Sequence, residues 1–199
     1  MCRFIETIRI DNGKVRNLSY HERRLNDTRT HFWQGSTLLQ LADRIKPDRK
    51  TGIYKARIVY GEAGIEEISY SPYNIRHVQS LAVIRTDDID YTYKSTDREA
   101  LNRLFAQRGG CDDILIVRQG LLTDTSIANI ALHDGTFWYT PAQPLLKGTK
   151  RAQLLDEGIL LEKELGIEDL SAFFKIRLFN AMIDWGELEL PTNALHAAF

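Results

Sequence analysis

The chain has 199 residues, 43% of them hydrophobic and 27% charged, with a formal net charge of −1. This is the composition of a soluble globular protein with room for one large domain or two small ones. Near-neutrality, with only the short doublet Arg23-Arg24, speaks against a nucleic-acid partner; no apolar run reaches the roughly 18 residues of a membrane span; and Cys2 and Cys111, far apart and outside any CxxC or Cys/His cluster, give neither a disulfide framework nor a zinc pattern. A cytoplasmic protein acting on a small molecule is expected.

Phe4 to Ile10 alternates as a strand does and ends at the turn Asp11-Asn12-Gly13. Ser19 and Glu22 are spaced as a capping box, opening a helix with Leu18, Leu25 and Phe32 as apolar positions until Gly35 breaks it. A second helix is predicted through Leu38, Leu41, Ala42 and Ile45, ending before Pro47. Ile53 to Tyr60 and Ile65 to Tyr73 read as a hairpin about Gly61-Glu62-Ala63-Gly64, and Leu81 to Ile84 as a further strand.

The polar stretch from Thr86 to Tyr93 is the expected linker, dividing a small amino-terminal lobe, 1–88, from a larger carboxy-terminal lobe, 89–199. Thr96 and Glu99 form a second capping-box pattern, before a helix with Leu101, Leu104 and Phe105 on one face and Gly109-Gly110 at its end. Strands follow at Ile114 to Val117, Ile127 to Leu132 and Thr136 to Thr140, separated by Gln119-Gly120 and Asp134-Gly135. A helix is expected from Thr149 to Glu157. The tail then reads as a strand near Leu160, a short helix at Ile167 to Phe173, and strands at Ile176 to Phe179 and Glu187 to Leu190. The pattern is α+β in two lobes, not a regular βαβ alternation.

Three residues in this frame have complementary chemistry. Lys94 lies on a loop, a place from which an amine can form an imine and move a Cα proton if burial lowers its pKa. Asp124 follows Leu121-Leu122-Thr123 and can keep a pyridine nitrogen protonated, with Thr125, Ser126 and Asn129 as polar neighbours. Gly148 precedes Thr149 and Lys150 at a helix start, where unpaired amides and the helix dipole suit a phosphate. Arg24 on the first helix can add a bidentate phosphate contact. Taken singly, Lys94 and Arg24 also read as surface residues, Asp124 as a turn or cap, and Gly148 as a turn glycine. Their order and spacing point to pyridoxal 5′-phosphate.

These residues fall within a wider pattern. Phe4-Ile5-Glu6-Thr7-Ile8-Arg9, His21-x-x-Arg24-Leu25, Lys94-Ser95, Thr123-Asp124-x-x-x-x-Asn129, Tyr139-Thr140-Pro141 and Leu146-x-Gly148-x-x-Arg151 occur in this order over most of the chain. In this the chain resembles the class IV aminotransferases, the fold-type IV pyridoxal-phosphate enzymes, which include branched-chain and D-amino acid aminotransferases and aminodeoxychorismate lyase. The resemblance implies two α/β lobes with the cofactor between them, and a homodimer. It matches Lys94, in the larger lobe, to the Schiff-base lysine, Asp124 to the ring-nitrogen carboxylate and Arg24 to the phosphate arginine. Leu146 matches a residue packed on the ring, and Gly148, Thr149 and Lys150 the phosphate loop. Asn180 and Ala181 match a second phosphate turn, whose Asn-Ala form is more like the lyase branch.

The chain departs from the family pattern in several places. Asp124 stands where the family usually has Glu, and Lys150 replaces a threonine of the phosphate loop. The amino-terminal lobe is expected to be shortened. Tyr60-Gly61-Glu62-Ala63-Gly64 lacks the arginine-histidine pair with which D-amino acid transaminases hold a carboxylate. The implied activity is that of a 4-amino-4-deoxychorismate lyase, forming 4-aminobenzoate and pyruvate. An amino acid transaminase and a non-catalytic pyridoxal-phosphate-binding protein are the alternatives.

Overall fold

The computed structural model describes residues 2–47 and 51–197. The contacts divide the chain into two units, Met1–Ile75 with Tyr93–Asp97, and Arg76–Thr92 with Arg98–Phe199. Lys94, placed in the larger lobe by the sequence reading, is therefore grouped with the amino-terminal unit.

The first unit is built on β1 (Phe4–Asp11), β2 (Lys14–Val15), α1 (Leu18–Phe32), β3 (Ile53–Gly61) and β4 (Gly64–Pro72), with sheet order β2-β1-β3-β4. The register pairs Phe4 with Tyr60, Glu6 with Ile58, Ile8 with Ala56 and Ile10 with Tyr54. Alternate residues share a sheet face, and this face is buried together with Leu25 of α1. Glu6 is therefore a carboxylate in an apolar layer, with none of its surface exposed.

α1 begins after Asn17, which has a left-handed backbone and no side-chain cap. Ser19 lies inside the helix, and the carboxylate of Glu22 accepts the Leu41 N–H at 2.7 Å, so the predicted capping box does not form. The predicted helix over Leu38–Ile45 is absent too; a single turn at Leu41 to Ile45 is all that appears. The Asn26 side chain holds both the N–H and the carbonyl of Leu39, at 2.9 and 3.0 Å. Side chains of α1 thus satisfy backbone groups that a helix would have paired internally. Leu41 and Ile45 still reach the core.

The second unit holds β5 (Leu81–Arg85), α2 (Glu99–Ala106), β6 (Asp113–Arg118), β7 (Leu121–Thr125), β8 (Asn129–His133), β9 (Trp138–Pro141), α3 (Thr149–Asp156), β10 (Leu161–Lys163), β11 (Lys175–Phe179), β12 (Glu189–Pro191) and β13 (Leu195–Ala197). Nine strands make its sheet, in the order β10-β9-β8-β7-β6-β5-β13, with β11 on β8 and β12 on β11. β7, which carries Asp124 next to its end, and β13 were not among the strands marked out by residue range in the sequence. α2 starts at Glu99 without a Thr96 cap; the Thr96 hydroxyl donates to the carbonyl of Arg3 instead. Leu101 of α2 packs with Ala82, Ile84, Ile114 and Ile116, and Leu154 of α3 with Ala131, Leu160 and Phe179. Among the described residues no helix is long and apolar enough to cross a membrane.

Candidate active site

In the first unit, the strand and helix motifs meet at Glu6. The Arg24 guanidinium donates from Nε to Oε1 at 2.9 Å and from its terminal nitrogen to Oε2 at 2.6 Å. His21, also without exposed surface, lies with Nδ1 2.6 Å from Oε2. Burial alone would raise the Glu6 pKa, but the Arg24 charge and the His21 hydrogen bond bring it down to about 2, so it is a carboxylate. The His21 pKa is lowered too, chiefly by burial, with the charges of Arg24 and Lys94 pushing the same way and the Glu6 carboxylate opposing. A neutral imidazole beside a carboxylate donates from Nδ1. Arg24 thus gets two-point orientation from a carboxylate whose Oε2 is also held by His21.

Lys94 is half-buried and is carried on a short edge segment beside β1. Its carbonyl accepts the Ile5 N–H at 2.9 Å, Ser95 bridges to Phe4, and Thr96 N–H donates to Arg3 at 3.0 Å. Tyr93 stacks on His31 with ring centroids 4.8 Å apart and meets Phe32 edge-on at the same distance. An aromatic anchor on one side of Lys94 and backbone pairing on both hold this segment against β1.

In the second unit, Asp124 is 5% exposed and directly opposite Asn129 in the β7–β8 pairing. Its Oδ1 accepts Asn129 Nδ2 at 2.6 Å and its Oδ2 accepts the Leu146 N–H at 2.8 Å. Burial raises its pKa to about 6, against the lowering effects of the Leu146 and Asn129 hydrogen bonds and the Arg151 charge. With the Leu145 N–H as a further donor, the carboxylate still keeps acceptor capacity. Asn129 also donates to the Leu146 carbonyl at 2.8 Å, so the backbone at Leu146 is fixed at both its polar groups.

Gly148 is required for space rather than for backbone freedom. Its φ is −69°, open to any residue, but a Cβ there would lie 2.0 Å from Asn129 Oδ1. It is the N-cap of α3 and supplies no side-chain cap, so the first amides of α3 have no partner from that residue. Thr149 is buried and Lys150 half-buried behind it. Lys150 Nζ pairs with Asp184 Oδ1 at 2.5 Å.

Asn180 and Ala181 form the start of a turn after β11. The Asn180 Oδ1 accepts the N–H groups of Met182 and Ile183 at 2.7 and 2.9 Å, while its Nδ2 donates to the Ile127 carbonyl at 3.0 Å. The Asn180 side chain shapes this turn.

Each unit thus holds a subset of the expected residues: Lys94 and Arg24, whose charges both act on His21, in the first, and Asp124 with Leu146, Gly148, Thr149 and Lys150 in the second. The sequence reading left Glu6 and His21 without roles, although both stood in its motifs. The signal was a carboxylate at an inward position of β1, which needs charged or polar company. Asp184 had no signal, since its partner comes from a different element.

Known proteins are similar to this chain in sequence and fold. Residues 63–188, well over half of the chain, match the family described as amino-transferase class IV. An uncharacterized protein of Haemophilus influenzae is 36% identical over 190 residues, covering 92% of this chain and 98% of its own. A fission-yeast protein (Schizosaccharomyces pombe) provisionally named an aminodeoxychorismate lyase is 36% identical over 89 residues, 42% of this chain and 38% of its own. A crystal structure from Haemophilus somnus, provisionally assigned as a 4-amino-4-deoxychorismate lyase, is 34% identical, with a TM-score of 0.87 over 93% of this chain and 98% of that one.

Proposed function

The chain belongs to the class IV amino-transferase family of pyridoxal-phosphate enzymes, and from that premise we propose that it is a 4-amino-4-deoxychorismate lyase, releasing 4-aminobenzoate and pyruvate. The observation that carries the substrate is the similarity, along nearly the whole length of both chains, to the Haemophilus somnus protein assigned that activity. The residues present fit the cofactor. A buried carboxylate keeps acceptor capacity at Asp124, and Gly148 packs where a Cβ would collide with Asn129, next to helix amides suited to a phosphate.

When bound, pyridoxal phosphate supplies an electron sink for the pair left at the substrate carbon when its proton departs. This chain's residues do the rest. Asp124 holds a proton on the ring nitrogen by its negative charge. The first amides of α3 and the Ala181 N–H would receive the phosphate, and Arg24, oriented by Glu6, would be a cation for it by the family pattern. Leu146 covers one face of the ring. Lys94 would hold the cofactor through its Nζ, and its amine would be the base that takes the carbon-bound proton of the substrate. Loss of that proton and cleavage of the C–O bond to the enolpyruvyl group would leave aromatic 4-aminobenzoate, and the departing enolate would take up a proton to become pyruvate.

We further propose a cytoplasmic homodimer, as the family pattern implies. The test of the activity is incubation of the cofactor-loaded protein with 4-amino-4-deoxychorismate, with 4-aminobenzoate and pyruvate measured together. Equimolar release supports the lyase. Transfer of the amino group to a keto acid without 4-aminobenzoate identifies a transaminase instead, and cofactor binding without either product a non-catalytic protein.

A further inference from the structure

We propose that the Lys150–Asp184 ion pair is a strap that sets the spacing of the two phosphate-receiving turns, the start of α3 and the Asn180-Ala181 turn. The proposal rests on the cofactor reading above and makes Lys150 and Asp184 positioning residues through their side chains.

Lys150 is the second residue of α3, directly after the Gly148-Thr149 amides. Its Nζ is 2.5 Å from Asp184 Oδ1 and donates to Gln153 Oε1 at 3.1 Å. The Lys150 side chain is 12% exposed, so its charge is taken largely out of water and needs that carboxylate. Asp184 is set for the contact from its own side: Oδ1 also accepts the Trp185 N–H at 2.8 Å, and the Asp184 N–H donates to Glu187 Oε2 at 2.6 Å. Three residues upstream is Ala181, in a turn whose Met182 and Ile183 N–H groups donate to Asn180 Oδ1 and whose Asn180 N–H donates to the Ile183 carbonyl, so that the Ala181 N–H is the amide this turn can offer an anion. Asn180 ties this turn to Ile127, and the strap ties it to α3.

Two anion-receiving turns on different elements bind one phosphate well only if their separation is fixed beforehand, since ordering them on binding costs affinity. A lysine at this position reaches across to the second element, as a short hydroxyl side chain cannot.

The strap and a direct lysine–phosphate contact predict opposite signs at Asp184. Removing a carboxylate near a phosphate dianion favours the dianion electrostatically, so weaker binding in Asp184→Asn points to lost positioning. Pyridoxal 5′-phosphate affinity is measured by spectroscopic titration of apoprotein for the wild type, Lys150→Met, Asp184→Asn and the double variant. Pyridoxal, which lacks the phosphate, serves as the control, and melting of each apoprotein reports folding. The expected result is a three- to tenfold loss of pyridoxal phosphate affinity in each single variant, with no further loss in the double. Pyridoxal affinity should be unchanged, and Lys150→Arg should restore binding. Unchanged or tighter binding in Asp184→Asn overturns the strap, as does equal loss for pyridoxal. Wild-type protein that takes up no pyridoxal phosphate overturns the cofactor reading, and the strap with it.

Discussion

Arg24 is held in a two-point pairing with Glu6, at 2.9 and 2.6 Å, and the carboxylate that holds it has no exposed surface. Replacing one partner of a buried pair leaves the other uncompensated. Glu6→Gln should therefore destabilise the protein by about 3 kcal/mol at pH 7, the size implied by a pKa moved from 4.5 to about 2. Because the folded pKa is depressed, this stability is present above pH 4.5 and is lost as pH falls toward 2. Urea unfolding of both proteins between pH 3 and 7 checks it. Parallel pH profiles would remove Glu6 from this role.

How much of this was legible in the sequence follows from where each partner lies. β1, α1 and the β3–β4 hairpin announced themselves because their signals are local: alternation, helical spacing, and glycines in a turn. The run from Leu38 to Ile45 carried helical spacing as well, but Asn26 and Glu22, more than ten residues upstream, take the polar groups of Leu39 and the Leu41 N–H and leave it a single turn. Lys94, Asp124 and Gly148 were readable as chemistry. The reason Gly148 must be glycine was not, because Asn129 reaches it across the fold from β8.

Gly148→Ala tests that contact. A Cβ 2.0 Å from Asn129 Oδ1 forces the amide to move, and with it the hydrogen bonds to Asp124 and Leu146. Overpacking of this kind costs about 1–3 kcal/mol. Thermal melts should show the loss, and pyridoxal phosphate affinity should fall with it. An alanine variant with unaltered stability and affinity means that Asn129 moves aside freely.

Lys94→Ala should abolish the long-wavelength absorbance of the bound cofactor and essentially all turnover, while Lys147→Ala should keep both. Borohydride treatment of the wild type, followed by peptide mapping, should place the trapped cofactor on the peptide containing Lys94. Trapping on Lys147 or Lys150 refutes the assignment.

Asp124 titrates in the opposite sense to Glu6. Its folded pKa of about 6 is above the ordinary 3.8, so its favourable contribution is complete below pH 3.8 and lost as pH rises through 6. In the apoprotein, wild-type stability relative to Asp124→Asn should fall by about 3 kcal/mol across that window. Cofactor affinity should change the other way, increasing as the carboxylate ionises and can pair with a protonated ring nitrogen. Denaturation and cofactor titrations at pH 4, 5, 6 and 7 measure both slopes; a wild type that tracks Asp124→Asn throughout would show that Asp124 is not the titrating group.

The shorter carboxylate at this position yields the sharpest expectation. An aspartate where relatives usually carry glutamate has two possible accommodations. Either the site keeps the usual spacing and Asp124 falls short by a methylene, or the surrounding backbone has closed in. The contacts favour the second: Leu146 N–H donates to Oδ2 at 2.8 Å and Asn129 Nδ2 to Oδ1 at 2.6 Å, from either side of a 5%-exposed side chain. Asp124→Glu has nowhere to put the extra methylene without displacing Leu146 or Asn129, and Asn129 is already in close quarters with Gly148. The variant should therefore lose about 1–3 kcal/mol of stability and most of its turnover. Asp124→Asn, by contrast, should keep the fold and the phosphate contacts while losing the charge that holds the ring proton. Measured side by side, cofactor affinity should fall further in Asp124→Glu and turnover should fall in both. Full activity in Asp124→Glu would mean that the site has kept room for the longer side chain.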